Sequence, residues 1–311
     1  MMRRSRTVRP VAAAAAAGVR HMFTVDVEEH FHVNGFERWV PRDQWERYPT
    51  RVAIGTERVL DLLARHGTQA TFFTLGWVAR RYPDLVRRIV AAGHEIASHG
   101  DTHRRVTGLT PDEFRAEVRR SKRTLEDCVG VGVHGFRAPS FSVRKGNEWA
   151  LEILIEEGHT YDSSIFPIRR PDYGYAGALT VPHIIRTPSG PITELPLAVA
   201  MFGGVRMPAA GGGYLRQFPL SLMQRALRQH EARRVPAMCY IHPWELDPEQ
   251  PRIAVSWLAR VRHYRNLERV APRLERLFDE FRFGSVRQWM GEAPNDQPAV
   301  TLGRRIRAIP A

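Results

Sequence analysis

The sequence predicts an α/β fold built on a parallel sheet, either open or closed into a barrel. Short β-type runs alternate with helical runs from residue 21 onward. Three helical runs end at a glycine, and a strand begins within about three residues of each one, in RHGTQATFF, AAGHEIASH and EEGHTYDSS. The 311 residues, 43% hydrophobic and 25% charged, suffice for one α/β barrel or for two modest domains.

The first half of the chain provides five predicted strands, which are HMFTVDV, QATFFTL, HEIASH, VHGFRA and HTYDSS. Between them, helices are predicted over residues 52–67, 83–93, 111–130 and 147–158. Apolar side chains recur at helical spacing in the first of these helices, and Pro83 and Pro111 stand near the N-termini of the second and third. Short links between strands and helices are typical of repeated β-then-α units.

The second half of the chain is less regular. Residues 163–215 are rich in proline and glycine, with GGG at 211–213, and predict long loops and short strands. A helix over QFPLSLMQRALRQHEARR, the strand PAMCYIHPW and a final amphipathic helix over RNLERVAPRLERLFDEF follow. We interpret this half as a continuation of the same domain.

The net charge of +13 lies partly at the two ends of the chain. Residues 1–20 hold five arginines and no acid, and residues 302–311 hold three arginines and no acid. Because of this placement we expect no nucleic-acid partner, although a basic tail could contact anionic lipid. Residues 1–21 either form an incomplete signal peptide or a disordered or mis-started extension, and we favour the extension.

Two classes of protein are excluded by composition. No run approaches 18 consecutive apolar residues, so we expect no membrane-spanning helix. The two cysteines, Cys128 and Cys239, cannot form a disulfide framework or a four-cysteine zinc site.

Polar side chains cluster where the predicted strands end, which is where barrels and doubly wound sheets place their active sites. His99 and His103 are four residues apart and could meet one metal ion from a single turn. Asp26 and Glu28 alternate along the first strand and should face the same side. One of these carboxylates could complete a metal site, and the other could act as a base on a bound water.

A rival set of metal ligands follows the first strand directly. His30 and His32 continue the same face as Asp26 and Glu28 but lie beyond the expected strand end. They also sit in a stretch with its own aromatic residues, so we rank them below His99.

Three further candidates, ranked below the residues above, lie at the ends of predicted strands: Arg137, Asp162 and His242. Arg137 could orient a catalytic carboxylate or form a surface ion pair. His242 follows four strand-like residues and could be a buried core histidine or a general acid tuned by a carboxylate such as Asp162.

Five segments resemble, in order and spacing, the motifs of the polysaccharide deacetylases (carbohydrate esterase family four, the NodB-homology domain). They are TVDVE, SHGDTH, FRAPSF, YDSS and YIHPWE, between about Met22 and His242. Four later segments resemble the C-terminal extension of a subgroup found with bacterial exosortase and PEP-CTERM exopolysaccharide systems. In this chain the extension covers about residues 200–291, and the segments are GGGYLRQFPL, YIHPWELDPEQPR, RHYRNLERVAPRLERL and FRFGSVR. The resemblance implies an irregular (β/α) barrel of about seven strands. An open doubly wound sheet is the alternative.

The resemblance also implies catalytic roles. Asp26 would be the general base, and Arg137 would hold it. His242 would be the general acid, and Asp162 would support it. The residues implied to bind substrate are Ser140, Phe141, Ile241 and Trp244. Backbone N–H groups near Ser140 could serve an oxyanion, since that role needs no side chain.

The implied metal ligands are His99, His103 and one carboxylate. The family commonly has two adjacent aspartates on the first strand, whereas here Val27 follows Asp26. The carboxylate ligand is therefore Glu28 or Glu29, and strand alternation favours Glu28.

These observations predict a metal-dependent hydrolase, with zinc as the expected divalent metal. It would remove N-acetyl groups from a polysaccharide or its lipid-linked precursor in exopolysaccharide biosynthesis. The alternatives are a related amidohydrolase of a small cyclic amide or ureide, and a non-catalytic sugar-binding assembly component. We expect residues 22–291 to form the deacetylase barrel and 292–311 a flexible tail. The expected location is the cytoplasm or the inner face of the membrane.

Overall fold

A computed structural model describes residues 18–170, 173–293, 297–302 and 307–308. Most of the predicted extension, residues 1–17, and the arginines at 304 and 305 therefore lie outside the described residues. The described part is an α/β fold with one large, mostly parallel sheet of eleven strands and a separate two-stranded sheet.

The strands run in chain order as follows: β1 (His21–Val27), β2 (Thr71–Thr74), β3 (Glu95–Ser98), β4 (Gly135–Phe136), β5 (Tyr161–Asp162), β6 (His183–Thr187), β7 (Gly190–Glu194), β8 (Val199–Phe202), β9 (Val205–Pro208), β10 (Met238–Ile241), β11 (Phe283–Gly284), β12 (Ala299–Thr301) and β13 (Arg307–Ala308). The strands that carry the candidate site, from β1 to β5, are buried along their whole length, as is usual for parallel strands covered on both faces.

The helices are α1 (Val52–Arg65), α2 (Gly76–Arg81), α3 (Pro83–Ala91), α4 (Pro111–Val129), α5 (Trp149–Glu156), α6 (Gly213–Gln217), α7 (Leu220–Ala232), α8 (Trp257–Tyr264), α9 (Val270–Glu280) and α10 (Val286–Glu292). Short 3₁₀ turns cover Asn34–Phe36, Arg42–Arg47, Val106–Gly108, Pro139–Phe141, Pro243–Leu246 and Leu267–Arg269. The longest helix, α4, begins at a capping box formed by Thr110 and Glu113 and ends where Gly130 adopts a left-handed conformation.

The large sheet has the strand order β10-β1-β2-β3-β4-β5-β7-β6-β12-β13, and β11 also pairs with β1. All of its pairings are parallel except β6 with β7 and β12 with β13. Among the described residues no pairing joins β10 to β13, so the sheet is not closed and the expected barrel is not confirmed. The prediction of a parallel α/β sheet is confirmed.

The register of this sheet aligns the carboxyl ends of its strands. Val27 pairs with Thr74, Thr74 with Ser98, and Ser98 with Phe136. On the other side of β1, Val25 pairs with Ile241 of β10. Because parallel strands end at the same edge, the residues that follow β1, β3, β4 and β10 meet there. The fold thus gathers the predicted polar residues before any side-chain contact is considered.

The predicted elements of the first half are present with small shifts at their ends. The glycines at 67, 93 and 158 have φ angles of 57°, 85° and 80°, which are the left-handed values that end helices. The sequence did not indicate α2, α6 and α8, and α10 follows the helix expected to be the last. Residues 299–301, assigned to a flexible tail, form β12 and pair in parallel with β6.

Three hydrophobic clusters stabilise the fold. The largest lies between the sheet and helices α1, α3, α7 and α9, and a second lies between α4, α5 and the β6–β7 hairpin. The third, which we call the aromatic cluster, is formed by Phe31, Phe36, Val40, Trp45, Trp244, Tyr264 and Leu267. This aromatic cluster joins the segment after β1 to the segments after β10 and α8, beside the carboxyl edge of the sheet.

Candidate active site

Strand β1 presents two carboxylates to the carboxyl edge of the sheet. The side chains of Asp26 and Glu28 are each 2% exposed, and they lie two residues apart. Asp26 contacts Arg137, and Glu28 contacts His103. The alternation of side chains along a strand therefore brings both carboxylates into one site, as the sequence predicted.

The loop after β3 supplies two histidines to the same site. His99 Nδ1 is hydrogen-bonded to the carbonyl oxygen of Arg137 at 2.9 Å, which leaves Nε2 as its free nitrogen. His103 Nε2 lies 2.7 Å from Glu28 Oε2. The expectation that these histidines share a helical turn is wrong, because the backbone here is a loop and His103 has a φ angle of 53°.

Arg42 supports this loop from a different part of the chain. Its guanidinium donates hydrogen bonds to the carbonyl oxygens of Thr102 and His103 at 3.1 and 3.0 Å. The same guanidinium forms an ion pair with Glu37. These contacts hold the left-handed backbone of His103, which a histidine seldom adopts unaided.

Glu28, His99 and His103 form a cluster that could hold a metal ion. One ligand atom from each residue lies within 4.8 Å of the others, and all three residues are buried. Among the described residues, the donor close to the buried Glu28 Oε2 is the His103 ring nitrogen at 2.7 Å, which is itself a candidate ligand, so one metal ion bound by both would satisfy both atoms. Two imidazoles and one carboxylate are the donor set of catalytic zinc sites that keep a position for water. The residues present therefore fit a divalent metal.

The ionisation of this cluster also suits a metal. Burial lowers the pKa of His99 to about 4, so its ring is neutral near pH 7 and can act as a ligand. Burial opposes ionisation of Glu28, but His103 and His242 hold the pKa of this carboxyl well below its usual value. A neutral imidazole and an ionised carboxylate are the forms that bind metals.

Glu29 has a different task. Its carboxylate accepts hydrogen bonds from the backbone N–H groups of Arg51 and Val52, at 2.9 and 3.0 Å. These are the groups at the start of α1, where an anion is favoured. Of the two carboxylates that the sequence left open as ligands, Glu28 is the one in the cluster.

The rival ligands His30 and His32 do not join the cluster. His32 Nδ1 accepts a hydrogen bond from the backbone N–H of Glu29, and its ring centroid lies 3.9 Å from that of Trp45. The ring of His30 packs edge-on against Phe31. Both histidines are thus packed with the aromatic residues that surround them in the sequence.

Arg137 is fully buried and forms an ion pair with Asp26, with Nη1 2.6 Å from Oδ1. It also donates to Thr24 Oγ1 at 2.8 Å and to Ser163 Oγ at 2.9 Å. Its guanidinium carbon lies 4.0 Å from the centre of the Phe73 ring. The predicted contact between Arg137 and Asp26 is therefore present, and it fixes the orientation of the carboxylate.

His242 follows β10 and faces Glu28 of the cluster. Its Nε2 lies 3.6 Å from Glu28 Oε1, and its Nδ1 lies 3.2 Å from Glu245 Oε2. Its side chain is 17% exposed, more than those of Asp26, Glu28 and His103. Burial disfavours the charged ring, yet Glu28 and Glu245 raise the pKa of His242 to about 9.

The expected support of His242 by Asp162 needs correction. Among the described residues, the ring of His242 bonds to Glu245, and no hydrogen bond joins it to Asp162. Asp162 instead accepts from Ser164 Oγ at 2.6 Å, and Ser164 Oγ accepts from the backbone N–H of Ala138 at 2.7 Å. Burial and the nearby Asp162 raise the pKa of Glu194 well above its usual value, so the protonated acid can donate a hydrogen bond to Asp162.

The four residues expected to bind substrate are mostly enclosed. Phe141 and Ile241 are buried, and Trp244 donates from Nε1 to Glu28 Oε1 at 3.4 Å. Ser140 is partly exposed, and both Ser140 and Phe141 have left-handed φ angles, 56° and 50°. Two consecutive residues of this kind mark a strained turn next to Arg137.

Sequence reasoning missed several residues that build the site, notably Glu245, Arg216, Arg42 and Ser163. Glu245 had a local signal, because it lies three residues after His242 and the two form a capping box. Ser163 and Arg216 lie in the quoted segments YDSS and GGGYLRQFPL, but their partners, Arg137 and Glu245, are distant in sequence. Arg42 likewise contacts a distant loop. Among the described helices, none is both long and apolar enough to cross a membrane.

Two family models match the chain. A model described as polysaccharide deacetylase covers residues 48–156, which include both histidines of the cluster and Arg137. A model described as a domain of unknown function (DUF3473) covers residues 163–291, which include His242 and Glu245. The residues at this site therefore come from both matched regions and from β1, which precedes them.

Curated relatives match about a third of the chain. A peptidoglycan-N-acetylglucosamine deacetylase of Bacillus cereus is 32% identical over 98 residues, which are 31% of this chain and 36% of the relative. A chitooligosaccharide deacetylase of Rhizobium leguminosarum bv. trifolii is 33% identical over 100 residues, which are 32% of this chain and 43% of the relative. The chain thus spans well under half the length of these relatives.

A crystal structure from Mycobacterium smegmatis, provisionally named a polysaccharide deacetylase, shares the fold with a TM-score of 0.62 at 20% identity. The match covers 92% of this chain and 94% of that chain. Over about a third of its length, the chain is therefore similar to the polysaccharide deacetylases.

Proposed function

We propose that the protein is a metal-dependent deacetylase that hydrolyses N-acetyl groups on a polysaccharide or its lipid-linked precursor. One observation carries this proposal. The cluster of Glu28, His99 and His103 lies beside two further groups: the buried carboxylate of Asp26, held by Arg137, and His242, whose second ring nitrogen is held by Glu245. A base and an acid beside a metal site are the parts that amide hydrolysis needs.

The base side of the site is formed by Asp26. A bound divalent metal, for which we propose zinc, supplies a polarised acetyl carbonyl and a more acidic water. Asp26 accepts the proton of the attacking water, and Arg137 keeps the carboxylate turned toward the site. The pair is buried, so bulk water does not compete for the carboxylate.

The acid side of the site is formed by His242. Its Nε2 faces the cluster, while Nδ1 is engaged by Glu245. As the bond between the carbonyl carbon and nitrogen breaks, Nε2 donates a proton to the departing amine. The products are acetate and a free amino sugar, and the atoms of one water molecule are consumed.

The substrate class follows from the relatives and from the resemblance of the motifs. The curated relatives are named as peptidoglycan and chitooligosaccharide deacetylases, which supports an acetylated saccharide as substrate. The exopolysaccharide setting rests on the resemblance of the C-terminal segments. On that basis we propose a role in exopolysaccharide assembly, in the cytoplasm or at the inner membrane face.

Acetate release tests the proposal. The purified full chain is loaded with zinc and incubated with N-acetylated chitooligosaccharides and, separately, with an O-acetylated xylan. We expect acetate from the N-acetylated probe, loss of activity with a chelator, and recovery when zinc is restored. Asp26→Asn and His242→Ala should each lower kcat by about 10²–10⁴-fold. Both variants should keep the metal, whereas His99→Ala should lose it.

Three results would contradict the proposal. Near-normal turnover of Asp26→Asn would remove the assigned base. Hydrolysis of a cyclic amide or ureide without acetate release would indicate the related amidohydrolase. Binding of the oligosaccharide without zinc binding or acetate release would indicate a non-catalytic sugar-binding component.

A further inference from the structure

A buried ion pair stands directly behind His242. The Nε atom of Arg216, in α6, lies 2.6 Å from Glu245 Oε1, and the two side chains are 3% and 1% exposed. A buried pair of this kind is costly to form and is weak support for stability in itself. Because the pair lies next to His242, we expect it to act on the site and not only on stability.

The two oxygens of Glu245 divide their contacts. Oε1 accepts a hydrogen bond from Nε of Arg216. Oε2 lies 3.2 Å from Nδ1 of His242 and accepts a hydrogen bond from the His242 backbone N–H at 3.0 Å. The carboxylate thus places its negative charge on one ring nitrogen of His242. This contact favours a proton on Nδ1 and fixes the rotation of the ring, so that Nε2 faces Glu28.

Arg216 is itself held by the backbone. Its Nη1 donates to the carbonyl oxygens of Arg262, His263 and Arg265, at 3.1, 2.6 and 3.3 Å. These carbonyls lie at the C-terminal end of α8, where helices leave acceptors unpaired. The guanidinium carbon also lies 5.1 Å from the centre of the Trp244 ring. Arg216, which belongs to α6, therefore links the carboxylate of Glu245 to the C-terminal end of α8.

Ring stacking also restrains the orientation of the His242 ring plane. The ring stacks on Trp244 with centroids 4.9 Å apart and an interplanar angle of 19°. Trp244 also stacks on His263, with centroids 4.1 Å apart. The carboxylate and the stacked rings together leave His242 one orientation.

We propose that Glu245, held by Arg216, is the positioning residue of His242, and that the region of unknown function (163–291) thereby completes the acid side of the site. This inference rests on the proposed function, in which His242 donates the proton to the leaving amine. Asp162, the residue that the motif resemblance implies for this task, is engaged with Ser164. The region of unknown function thus contributes Arg216, Glu245 and the end of α8 to a site whose other half lies in β1 and the deacetylase region.

Nuclear magnetic resonance of the ring nitrogens of His242 tests the position directly. The full chain, loaded with zinc and labelled with ¹⁵N-histidine, is compared with Glu245→Gln and with the control Glu249→Gln. Glu249 is 74% exposed, and within the described part of the chain its ion pairs are with Arg51 and Arg58. We expect Glu245→Gln to shift both ¹⁵N resonances of His242, because the charge at Nδ1 is lost, and Glu249→Gln to leave them in place. Unchanged resonances in Glu245→Gln would overturn the inference.

A double-mutant cycle on acetate release provides the second test. Glu245→Gln should lower kcat at least about 10-fold with KM and zinc content unchanged, and by no more than the roughly 10²–10⁴-fold that loss of the acid itself costs. In a His242→Ala background the same substitution should have no further effect, because Glu245 acts through His242. Equal effects of Glu245→Gln in both backgrounds would overturn the inference.

The two tests separate this inference from the proposed function. If His242→Ala keeps the full rate, or if the native chain releases no acetate, the proposed function fails. The resonances of His242 then still decide whether Glu245 positions the ring. If His242→Ala is impaired but Glu245→Gln is not, the positioning role fails and the proposed function stands.

Discussion

Glu28 and Glu29 are adjacent and chemically identical, yet the structure gives them separate tasks. Glu28 faces His103 in the cluster, whereas Glu29 accepts the backbone N–H groups that begin α1. Replacing each glutamate by glutamine changes one charge and hardly any volume. We predict that Glu28→Gln loses zinc affinity and that Glu29→Gln loses stability.

The expected magnitudes follow from the contacts. Glu29 is fully buried and holds two backbone donors, those of Arg51 and Val52. Glutamine keeps one acceptor oxygen, so Glu29→Gln should lower the free energy of unfolding by about 1.5–3 kcal/mol, the value of one hydrogen bond to a charged group. Glu28→Gln should weaken zinc binding more than about 100-fold, since even partners beyond the ligands contribute about 10–100-fold.

Two measurements on each variant provide the assay. Urea unfolding of the metal-free chains gives the change in stability, and competition with a zinc-binding dye gives the affinity. A loss of zinc affinity in Glu29→Gln as strong as that in Glu28→Gln would show that the two glutamates do not have separate roles. So would unfolding of Glu29→Gln at the native urea midpoint.

Three other predictions concern residues around the site and in the core. Arg137→Leu should lower the free energy of unfolding by about 3–5 kcal/mol in urea titrations, because it leaves Asp26 as an uncompensated buried charge; an unchanged midpoint would contradict this. Burial and the nearby Lys122 lower the pKa of His159 to about 3, so below about pH 6.5 the unfolded chain binds a proton that the native chain does not. This group should therefore lower the free energy of unfolding by about 1.4 kcal/mol per pH unit as the pH drops from 6.5 toward 3. His159→Phe should make the dependence of unfolding free energy on pH less steep between pH 6 and pH 4. A variant with the same pH dependence as the native chain would show that His159 is not responsible. Asp162→Asn should leave the ring resonances of His242 in place in the same NMR experiment, because its contacts are to Ser164, and a shift as large as that of Glu245→Gln would restore Asp162 to the role that the resemblance implied.

The sequence predicted the sheet because its signals are local. Alternation of β-type and helical runs and the glycines at 67, 93 and 158 depend only on neighbouring residues, and the structure contains the elements that they indicate. Closure of a barrel depends on a pairing between distant strands, and no local pattern encodes it. Strand β12 was missed for the same reason, because its stability comes from pairing with β6.

The candidate site was predictable to the extent that strand ends determine it. Asp26 and Glu28 alternate along β1, and the aligned register brings the end of β10 beside them. The spacing of His99 and His103 predicted a shared site, but the physical reason was wrong. A loop in which His103 has a left-handed backbone, and not a helical turn, brings the two side chains together. The carboxylate at His242 was assigned to another strand end, although a capping-box glutamate stands three residues away.

Anomalous X-ray scattering at the zinc edge, recorded from crystals of the zinc-loaded full chain, shows directly whether Glu28, His99 and His103 hold the metal. We expect one strong peak within bonding distance of these three residues, beside Asp26 and His242. A peak on His30 and His32 instead, or full zinc loading without a peak at the cluster, would show that the metal site is elsewhere.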